Sequence, residues 1–598
     1  MRMSKRFPRR TMREVGSDLT TAHGLLLRAG LIHNIGTGLF NLLPEGKRVH
    51  DTVVRIINEE MEREGVHNLQ LAMMHPAELW EKSGRWSKYV TGGTMFQTAS
   101  SHGNQQRFGM APTAEEVVTT LVAAHIKTHA DLPLVLHQIG TKWRDEVRPR
   151  LGLLRCREFG MSDAYSFAVD EQGMNEHFEM MRTIYDRIFR RVGLTNFISV
   201  RADSGAIGGE GSAEFMSLSE EIGEDTLITC DSCSYGANEE KATSRYDVPG
   251  YASDQKPRRD VPTPGIATVT QLEELFADEG ITPAHMMKTL IMVADPNTND
   301  QQIIAVCIRG DLQVNTVKVR NALGADNVVA AGESIVQEAT QAEVGFAGPL
   351  GLMKIGVVQQ ILFDKSTEAM VNFLCGFNRT EWHALDVNFG TDVPRPHQFV
   401  DLHTAVEGHG CPECEGSLRE SKGIEIGHVF KLQQIYTPSM RCTFTNAEGE
   451  EQMPWMGCYG IGTTRLVQAI VDQNHDDRGI VWSWELAPYQ VVVLPVSWKN
   501  DLQREAAERI YEELREAGVR VLLDDRNMRL GQKLTDAELL GHPFRVVVGR
   551  KAGEGLFEVR KRGASDDHPA NAVVLLEDML TAWGNGGRDA WKGFITRE

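Results

Sequence analysis

Lys142, Arg144, Arg148, Arg150, Arg155 and Arg157 put six basic side chains into sixteen positions of a chain that carries 82 Asp and Glu against 63 Lys and Arg. A turn at Pro149 and Gly152 between two strands brings Arg144 and Arg155 to one cleft, and paired guanidinium forks suit a polyphosphate. Glu146 then accepts from an exocyclic amine, and Phe159 offers a flat face for stacking. A surface hairpin of solvated charges fits the same residues, so this segment alone leaves both readings open. A second stretch, Met456-Gly-Cys458-Tyr-Gly460-Ile-Gly462-Thr-Thr-Arg465, predicts a strand, a glycine turn and a helix carrying Arg465 in its first turns. Backbone amides and an arginine there point at one phosphate. The glycines do not complete GxGxxG and no βαβ unit follows, which argues against a dinucleotide fold.

Cys230-Asp-Ser-Cys233 and Cys411-Pro-Glu-Cys414 are two CxxC pairs, the donor set of a tetrahedral Cys₄ zinc. The gap between them is close to 180 residues, where a zinc ribbon has about 15–20. A shared structural Zn²⁺ makes everything between the pairs an insert on one neck; four free thiols, or a disulfide formed on oxidation, are the other readings. Four sulfur ligands leave no open position, so a catalytic zinc is disfavoured.

The elements that must carry these groups follow from the pattern. With 598 residues the chain accommodates about three to five domains. Val53, Ile56, Ile57, Glu60 and Met61 recur at helical spacing until Gly65, and helices are predicted at 114–129 and 171–192, with strands at 134–139 and 164–169. Prolines and glycines at 248–265 predict a linker, followed by strands at 289–294 and 303–309 and a helix from about Val314. From near Pro488 a small α/β domain of strands at 491–494, 519–523 and 545–548 begins, its first helix predicted to bury Leu502, Ala506, Ile510 and Leu514 and to end at Gly518. No apolar run approaches the roughly 18 residues needed to span a bilayer. The Arg-rich start lacks the apolar core of a secretory signal. Nine cysteines in so long a chain predict a reducing cytoplasm. A net charge of −19 argues against nonspecific coating of nucleic acid, but not against an RNA held by local basic patches.

Arg144-Asp-Glu146 followed by Arg155-x-x-x-Phe159-x-x-x-Asp163 resembles motif 2 of the class II aminoacyl-tRNA synthetases, and Gly460-Ile-Gly462-Thr-Thr-Arg465 resembles their motif 3. Ala111-Pro-Thr113-Ala-Glu115-Glu116, Arg144 through Arg150, Gly427-His428-Val-Phe430, Gly457-Cys458-Tyr and Leu523-Asp-Asp-Arg526 are similar to the bacterial-type prolyl-tRNA synthetases, nearly end to end. The resemblance implies an α+β catalytic core, a class II antiparallel sheet with flanking helices, with an inserted α/β editing domain and a C-terminal α/β anticodon-binding domain. Its domains fall at 1–229 (motifs 1 and 2), 230–414 (the insertion, editing domain about 248–405), 415–486 (motif 3) and 487–598. It implies activation of L-proline with ATP and Mg²⁺ and transfer to tRNA(Pro). A synthetase for another small amino acid and a non-catalytic tRNA-binding paralogue are the alternatives.

The same resemblance distributes the roles. Arg144 bridges the α-phosphate and the amino-acid carboxylate, Glu146 meets the adenine amine, Phe159 and Arg465 sandwich the ring, and Arg155 and Arg465 hold the outer phosphates. Thr113 and Glu115 receive the secondary amine; His428 and Cys458 wall the pyrrolidine pocket, with plain packing as their other reading. Alanine is smaller than proline, so a proline pocket rejects it weakly and hydrolysis of Ala-tRNA(Pro) falls to the insert. Lys288, Asp364, His383 and the turn at Gly348 match its editing residues, although a single Lys, read alone as helical, is ordinarily a solvated side chain. Arg526, Arg529 and Lys533 are the candidates for the anticodon, and the arm Arg2, Lys5, Arg6, Arg9, Arg10 and Arg13 with the loop Arg148–Arg157 for the acceptor stem. A homodimer is implied, with no membrane and no DNA partner. The chain departs from the pattern at Ala72, where motif 1 carries proline, at Ala114 in the proline loop, and at Gly160 and Ser162 after Phe159.

Overall fold

The computed structural model describes all residues except 15, 17–20, 102–105, 204–206, 210, 220–221, 224, 252, 566–567, 569–570 and 584–598. It divides into two compact units: residues 1–199, 204–224 and 422–598 form one, and residues 200–203 and 225–421 the other. Among the described residues no helix is long and apolar enough to cross a membrane.

The first unit is built on an antiparallel sheet. Leu134–Trp143 pairs with Glu158–Ala168, which pairs with Trp455–Gly462, which pairs with Leu418–Gln433, and that last strand pairs with Gly211–Leu218. Side chains alternate along each strand. Tyr459, Ile461 and Ala164 therefore enter one core with the helices Pro44–Arg63, Glu171–Arg191 and Thr463–Gln473, while Tyr165, Phe167, Met456 and Cys458 enter a second core with Glu115–His125. Two of the departures have local causes, and a third lies at a buried backbone contact. A Cβ on Gly160 would lie 2.5 Å from Thr463 Oγ1, because the helix start packs on the strand there. Ser162 is buried and shares a hydrogen bond with His137 Nε2 at 2.8 Å, and the buried Ala114 donates its amide to Tyr165 at 3.2 Å.

The same unit ends in a five-stranded sheet ordered Val521–Leu523, Val491–Pro495, Phe544–Val548, Leu556–Lys561 and Ala572–Leu575, parallel across the first two pairings and antiparallel after. Its helix Asp501–Glu516 buries Gln503, Ala507, Ile510, Tyr511 and Leu514, and Leu502 is 52 % exposed. The predicted stripe Leu502–Ala506–Ile510–Leu514 is thus corrected at Leu502 and Ala506, while Ile510 and Leu514 are buried as predicted. A strict four-residue repeat drifts about 40° per step around a 3.6-residue helix, whereas 503, 507, 510 and 514 hold one face.

The second unit carries a sheet ordered Arg259–Pro262, Trp382–Val387, Phe373–Gly376, Met286–Ala294, Gln302–Arg309 and Gln360–Phe363, with Val328–Ala330 added beside Met286–Ala294. Part of the predicted linker at 248–265 is therefore an edge strand, a place where Pro262 costs no ladder hydrogen bond. Lys288 lies on a strand rather than a helix.

Candidate active site

The hairpin formed by Leu134–Trp143 and Glu158–Ala168 holds the arginine loop. Arg144 donates its amide to Arg157 O at 2.9 Å, and Leu151 and Gly152 take left-handed φ values of 58° and 65° to turn the chain. Arg155 Nε donates to Glu146 Oε2 at 2.8 Å, and Arg144 lies over the Phe159 ring at 5.2 Å. Below them Lys142, fully buried, meets the Asp163 carboxylate at 2.9 Å and stiffens the floor. Gly462 pairs with Met161, which sets the first turn of Thr463–Gln473 against this hairpin. There Arg465 Nε donates to Leu154 O at 2.8 Å, and Nη1 donates to Glu425 Oε2 at 2.9 Å and Glu425 O at 3.0 Å.

Glu425 escaped sequence reading, and the reason is geometric. Glu425 and His428 are three apart on one strand, which in regular pleating puts them on opposite faces. The register against Gly211–Leu218 slips: Phe215 faces Gly427 but Met216 faces Glu425, so Ile426 is bulged out. The bulge turns Glu425 and His428 to the same side, with His428 Nδ1 3.2 Å from Glu425 Oε1 and 3.5 Å from Glu214 Oε1. Burial alone would raise the Glu425 pKa, but the bond to His428 and the charges of Arg465, His428 and Arg144 outweigh it and hold the carboxyl far below the usual range. Arg144 and Arg465 thus act on one carboxylate. Glu214, Glu425 and His428 offer donor atoms within 4.8 Å of one another, and the two carboxylates are the hard oxygen donors that Mg²⁺ takes.

Thr113 Oγ1 donates to Glu115 Oε1 at 2.7 Å, and the Cys458 thiol lies 3.5 Å from the same oxygen. His428 stacks on Phe430 with ring centroids 3.8 Å apart, and Phe430 pairs in register with Cys458. Glu115 opens the helix Glu115–His125, where the helix dipole favours an anion. Its second oxygen meets Arg85 Nη1 at 3.1 Å, and Arg85 also reaches Glu116 at 3.0 Å. Arg85 is a second residue missed by sequence; its guanidinium is buried over Trp80, Tyr89 and Tyr436 at 4.9, 4.5 and 5.2 Å. Burial pushes Glu115 up, yet Arg85 and the Thr113 hydroxyl outweigh that and hold it ionised; Glu116, by contrast, is raised by burial and by repulsion from Glu115.

In the second unit the predicted residues separate. His383 is buried, shares a hydrogen bond with Thr263 Oγ1 at 2.7 Å, and pairs in register with Gly376. A Cβ on Gly348 would meet Gly376 O at 1.7 Å, so Gly348 and His383 belong to one tight wall. Lys288, half-buried, donates to Gly310 O at 3.2 Å, and burial lowers its pKa against the opposing charge of Asp311. Asp364 is fully buried with its oxygens taken by Ser366 N (2.8 Å), Leu402 N (2.7 Å) and His403 Nδ1 (3.3 Å), which makes it a loop tie rather than an open acid. Cys230, Cys233, Cys411 and Cys414 do converge, with all sulfurs within 4.8 Å of one another.

The anticodon candidates need correction. Lys533 is fully buried and its ammonium donates to Pro495 O and Asp524 O at 3.1 and 3.0 Å, so it faces no RNA. Arg526 is held by Asp524 and Asp536 at 2.7 and 2.8 Å. Arg529 alone of the three is exposed. In the basic arm Arg6 is likewise buried against Glu45 and Arg2 pairs with Glu508, leaving Lys5, Arg9, Arg10 and Arg13 exposed.

The family described as "tRNA synthetase class II core domain (G, H, P, S and T)" matches residues 96–474, and the "Anticodon binding domain" matches residues 490–579. The chain is 44 % identical to the proline–tRNA ligase of Syntrophus aciditrophicus over 569 residues, 94 % of this chain and 95 % of that protein. It is 42 % identical to the proline–tRNA ligase of Thermoanaerobacter sp. (strain X514) over 92 % of this chain and 94 % of that one. In fold it is similar to Giardia lamblia prolyl-tRNA synthetase in complex with prolyl-adenylate, with a TM-score of 0.54 and 14 % identity over 93 % of this chain and 73 % of that one. It is equally similar to the Cryptosporidium parvum enzyme complexed with halofuginone and AMPPNP, with a TM-score of 0.54 and 12 % identity over 96 % of this chain and 75 % of that one.

Proposed function

This chain belongs to the class II proline–tRNA ligases, and from that premise we propose how its residues divide the work. It activates L-proline with ATP and transfers the prolyl group to tRNA(Pro). The observation that carries the assignment of residues is the convergence of Arg144 and Arg465 on Glu425, on whose strand His428 stacks on Phe430, the register partner of the Cys458 that lies beside Glu115.

The ionised Glu115 pairs with the secondary ammonium of proline while Cys458 and His428 close on the ring. Arg144 draws the proline carboxylate and the α-phosphate together. A carboxylate oxygen attacks phosphorus in line, the bond to the β-phosphate oxygen breaks, and pyrophosphate leaves. No general base is needed, because the nucleophile is already an anion; positioning and charge neutralisation lower the barrier. Arg155 releases Glu146 to meet the adenine amine, and Phe159 and Arg465 hold the ring between them. Glu425, with Glu214 beside it, would hold Mg²⁺, which would supply charge neutralisation for phosphate chemistry. A ribose hydroxyl of the tRNA then attacks the prolyl carbonyl and AMP departs.

The test is ATP–pyrophosphate exchange with each of the twenty amino acids, with and without tRNA. Proline is expected to support the fastest exchange and alanine a slower one, since losing contact with about two methylenes weakens binding by only a few kcal/mol. Absence of exchange with every amino acid would hand the chain to a tRNA-binding, non-catalytic role.

Residues 248–405 are assigned hydrolysis of Ala-tRNA(Pro), with Lys288 placing the tRNA end and the Gly348–His383 wall shaping a pocket too small for proline. Lys288→Ala is expected to slow deacylation of Ala-tRNA(Pro) by about 10–100-fold, the effect of losing one positioning charge. Deacylation at the unaltered rate removes Lys288 from the assignment. The protein works as a cytoplasmic homodimer, its tRNA met by Arg148 and Arg150 of the arginine loop, by the exposed arm and by Arg529, with no membrane or DNA partner.

A further inference from the structure

The ATP and proline chemistry makes no use of Cys230, Cys233, Cys411 and Cys414, and we propose that they hold one structural Zn²⁺ that clasps the two ends of the insert. The sulfurs are arranged for a metal rather than for one another. Cys230 and Cys414 stand 3.5 Å apart and Cys233 and Cys411 3.7 Å apart. A tetrahedral zinc with Zn–S near 2.3 Å sets its sulfurs about 3.8 Å apart, whereas a disulfide requires about 2.05 Å.

A second observation is independent of those distances. Each of the four sulfurs accepts a backbone N–H from the residue two positions further on: Ser232 to Cys230 at 3.3 Å, Tyr235 to Cys233 at 3.4 Å, Glu413 to Cys411 at 3.4 Å and Gly416 to Cys414 at 3.3 Å. Amides aimed at all four sulfurs stabilise thiolate charge, which four neutral thiols do not carry. Arg245 pins the second knuckle, donating to Cys411 O at 2.7 Å and Cys414 O at 2.8 Å, and sets a positive charge beside a centre whose net charge is negative. Gly416 is fixed by the same packing, since a Cβ there would lie 2.8 Å from Cys230 Sγ and 2.7 Å from Ser232 Cβ.

The role follows from where the pairs lie. Cys230 ends the strand Asp225–Cys230, and Cys414 stands shortly before the strand that begins at Leu418. The surrounding apolar cluster is small: Ile228, Tyr235, Ala237, Ala242, Ala405 and Leu418. Joining positions 178 and 184 residues apart closes a very long loop, the case in which a metal tie restricts the unfolded chain most. With all four positions taken by sulfur, the ion has no site for substrate.

Metal analysis of the full-length protein, purified with zinc in the medium, is expected to give about one zinc per chain, and exchange with Co²⁺ to give the absorption bands of a tetrahedral tetrathiolate. The double variant Cys230→Ser/Cys411→Ser is expected to bind neither metal and to be cut within residues 225–421 about tenfold faster under limited proteolysis. Chelator treatment of the unaltered protein should reproduce that sensitivity and zinc addition reverse it. A chain that takes up no zinc or cobalt in reducing buffer overturns the site. A metal-free chain as resistant to proteolysis as the zinc-loaded one overturns the clasp. Neither readout depends on the aminoacylation or deacylation activity.

Discussion

Arg465→Ala is expected to lower proline-dependent ATP–pyrophosphate exchange by about 10³-fold, about 4 kcal/mol of lost transition-state stabilisation. The guanidinium stands in the first turn of Thr463–Gln473 and is aimed by hydrogen bonds to Leu154 O, Glu425 O and Glu425 Oε2. In the role proposed for it, it would bring charge to the outer phosphates and a plane to the adenine ring without reorganising when ATP arrives, which is the condition under which a donor contributes most. One of the bonds goes to Leu154 O, so truncation also loosens the turn Gly152–Leu154 that supports Arg155. Arg465→Lys keeps the charge but not the planar fork, and is expected to recover less than about a tenth of the lost rate. The rise is expected in the KM for ATP as well as in the fall of kcat, because the same side chain meets both ring and phosphates. A soluble, folded Arg465→Ala enzyme within tenfold of the original rate would remove Arg465 from the phosphate site.

Short-range chemistry was legible in the sequence and tertiary accommodation was not. The arginine loop, the glycine turn before Arg465 and the paired cysteines each announce themselves through residue type at close spacing, and the strands Leu134–Trp143, Glu158–Ala168 and Val491–Pro495 stand where alternation and β-branched runs place them. Glu425 was invisible because its facing depends on a bulge at Ile426, which no local pattern encodes. Arg526 and Lys533 look like RNA ligands in a basic loop, yet Asp524 and Asp536 consume the first and two backbone carbonyls the second. Charge on a surface loop and charge used to tie that loop are written in the same letters. The Asp364 carboxylate is likewise taken up locally, by the amides of Ser366 and Leu402. Lys288 was drawn into a helix because a run of Met, Met, Lys, Thr and Leu satisfies both periods, and only pairing with Gln302–Arg309 decides it.

Arg85→Met is expected to destabilise the enzyme by about 3–5 kcal/mol, the cost of leaving a buried carboxylate without its partner. It is also expected to abolish measurable saturation by proline. Arg85 touches neither ATP nor the proline site in this arrangement; it positions Glu115. Its guanidinium bridges Glu115 and Glu116 from inside an aromatic box of Trp80, Tyr89 and Tyr436, with side chains 7 % exposed at Arg85 and 0 % at both glutamates. While Arg85 is present, Glu115 titrates below its ordinary value, so its contribution to stability is present above the unfolded-state pKa and is lost as pH falls through the lower, folded one. Without Arg85, burial is the dominant influence on both glutamates and raises them above their unfolded values. The sign then reverses: the variant suffers most at pH 8, and the stability gap to the original protein is expected to narrow as pH falls towards 5. A gap that is flat across that range would show that the loss is packing in the aromatic box rather than charge. Glu116→Gln separates the two carboxylates. Because Glu116 is the one already raised, removing its charge leaves Arg85 and Glu115 as a matched pair, and the KM for proline is expected to change by less than about threefold. A proline KM as severely affected in Glu116→Gln as in Arg85→Met would mean that the pair of glutamates, not Glu115 alone, receives the ammonium of the substrate.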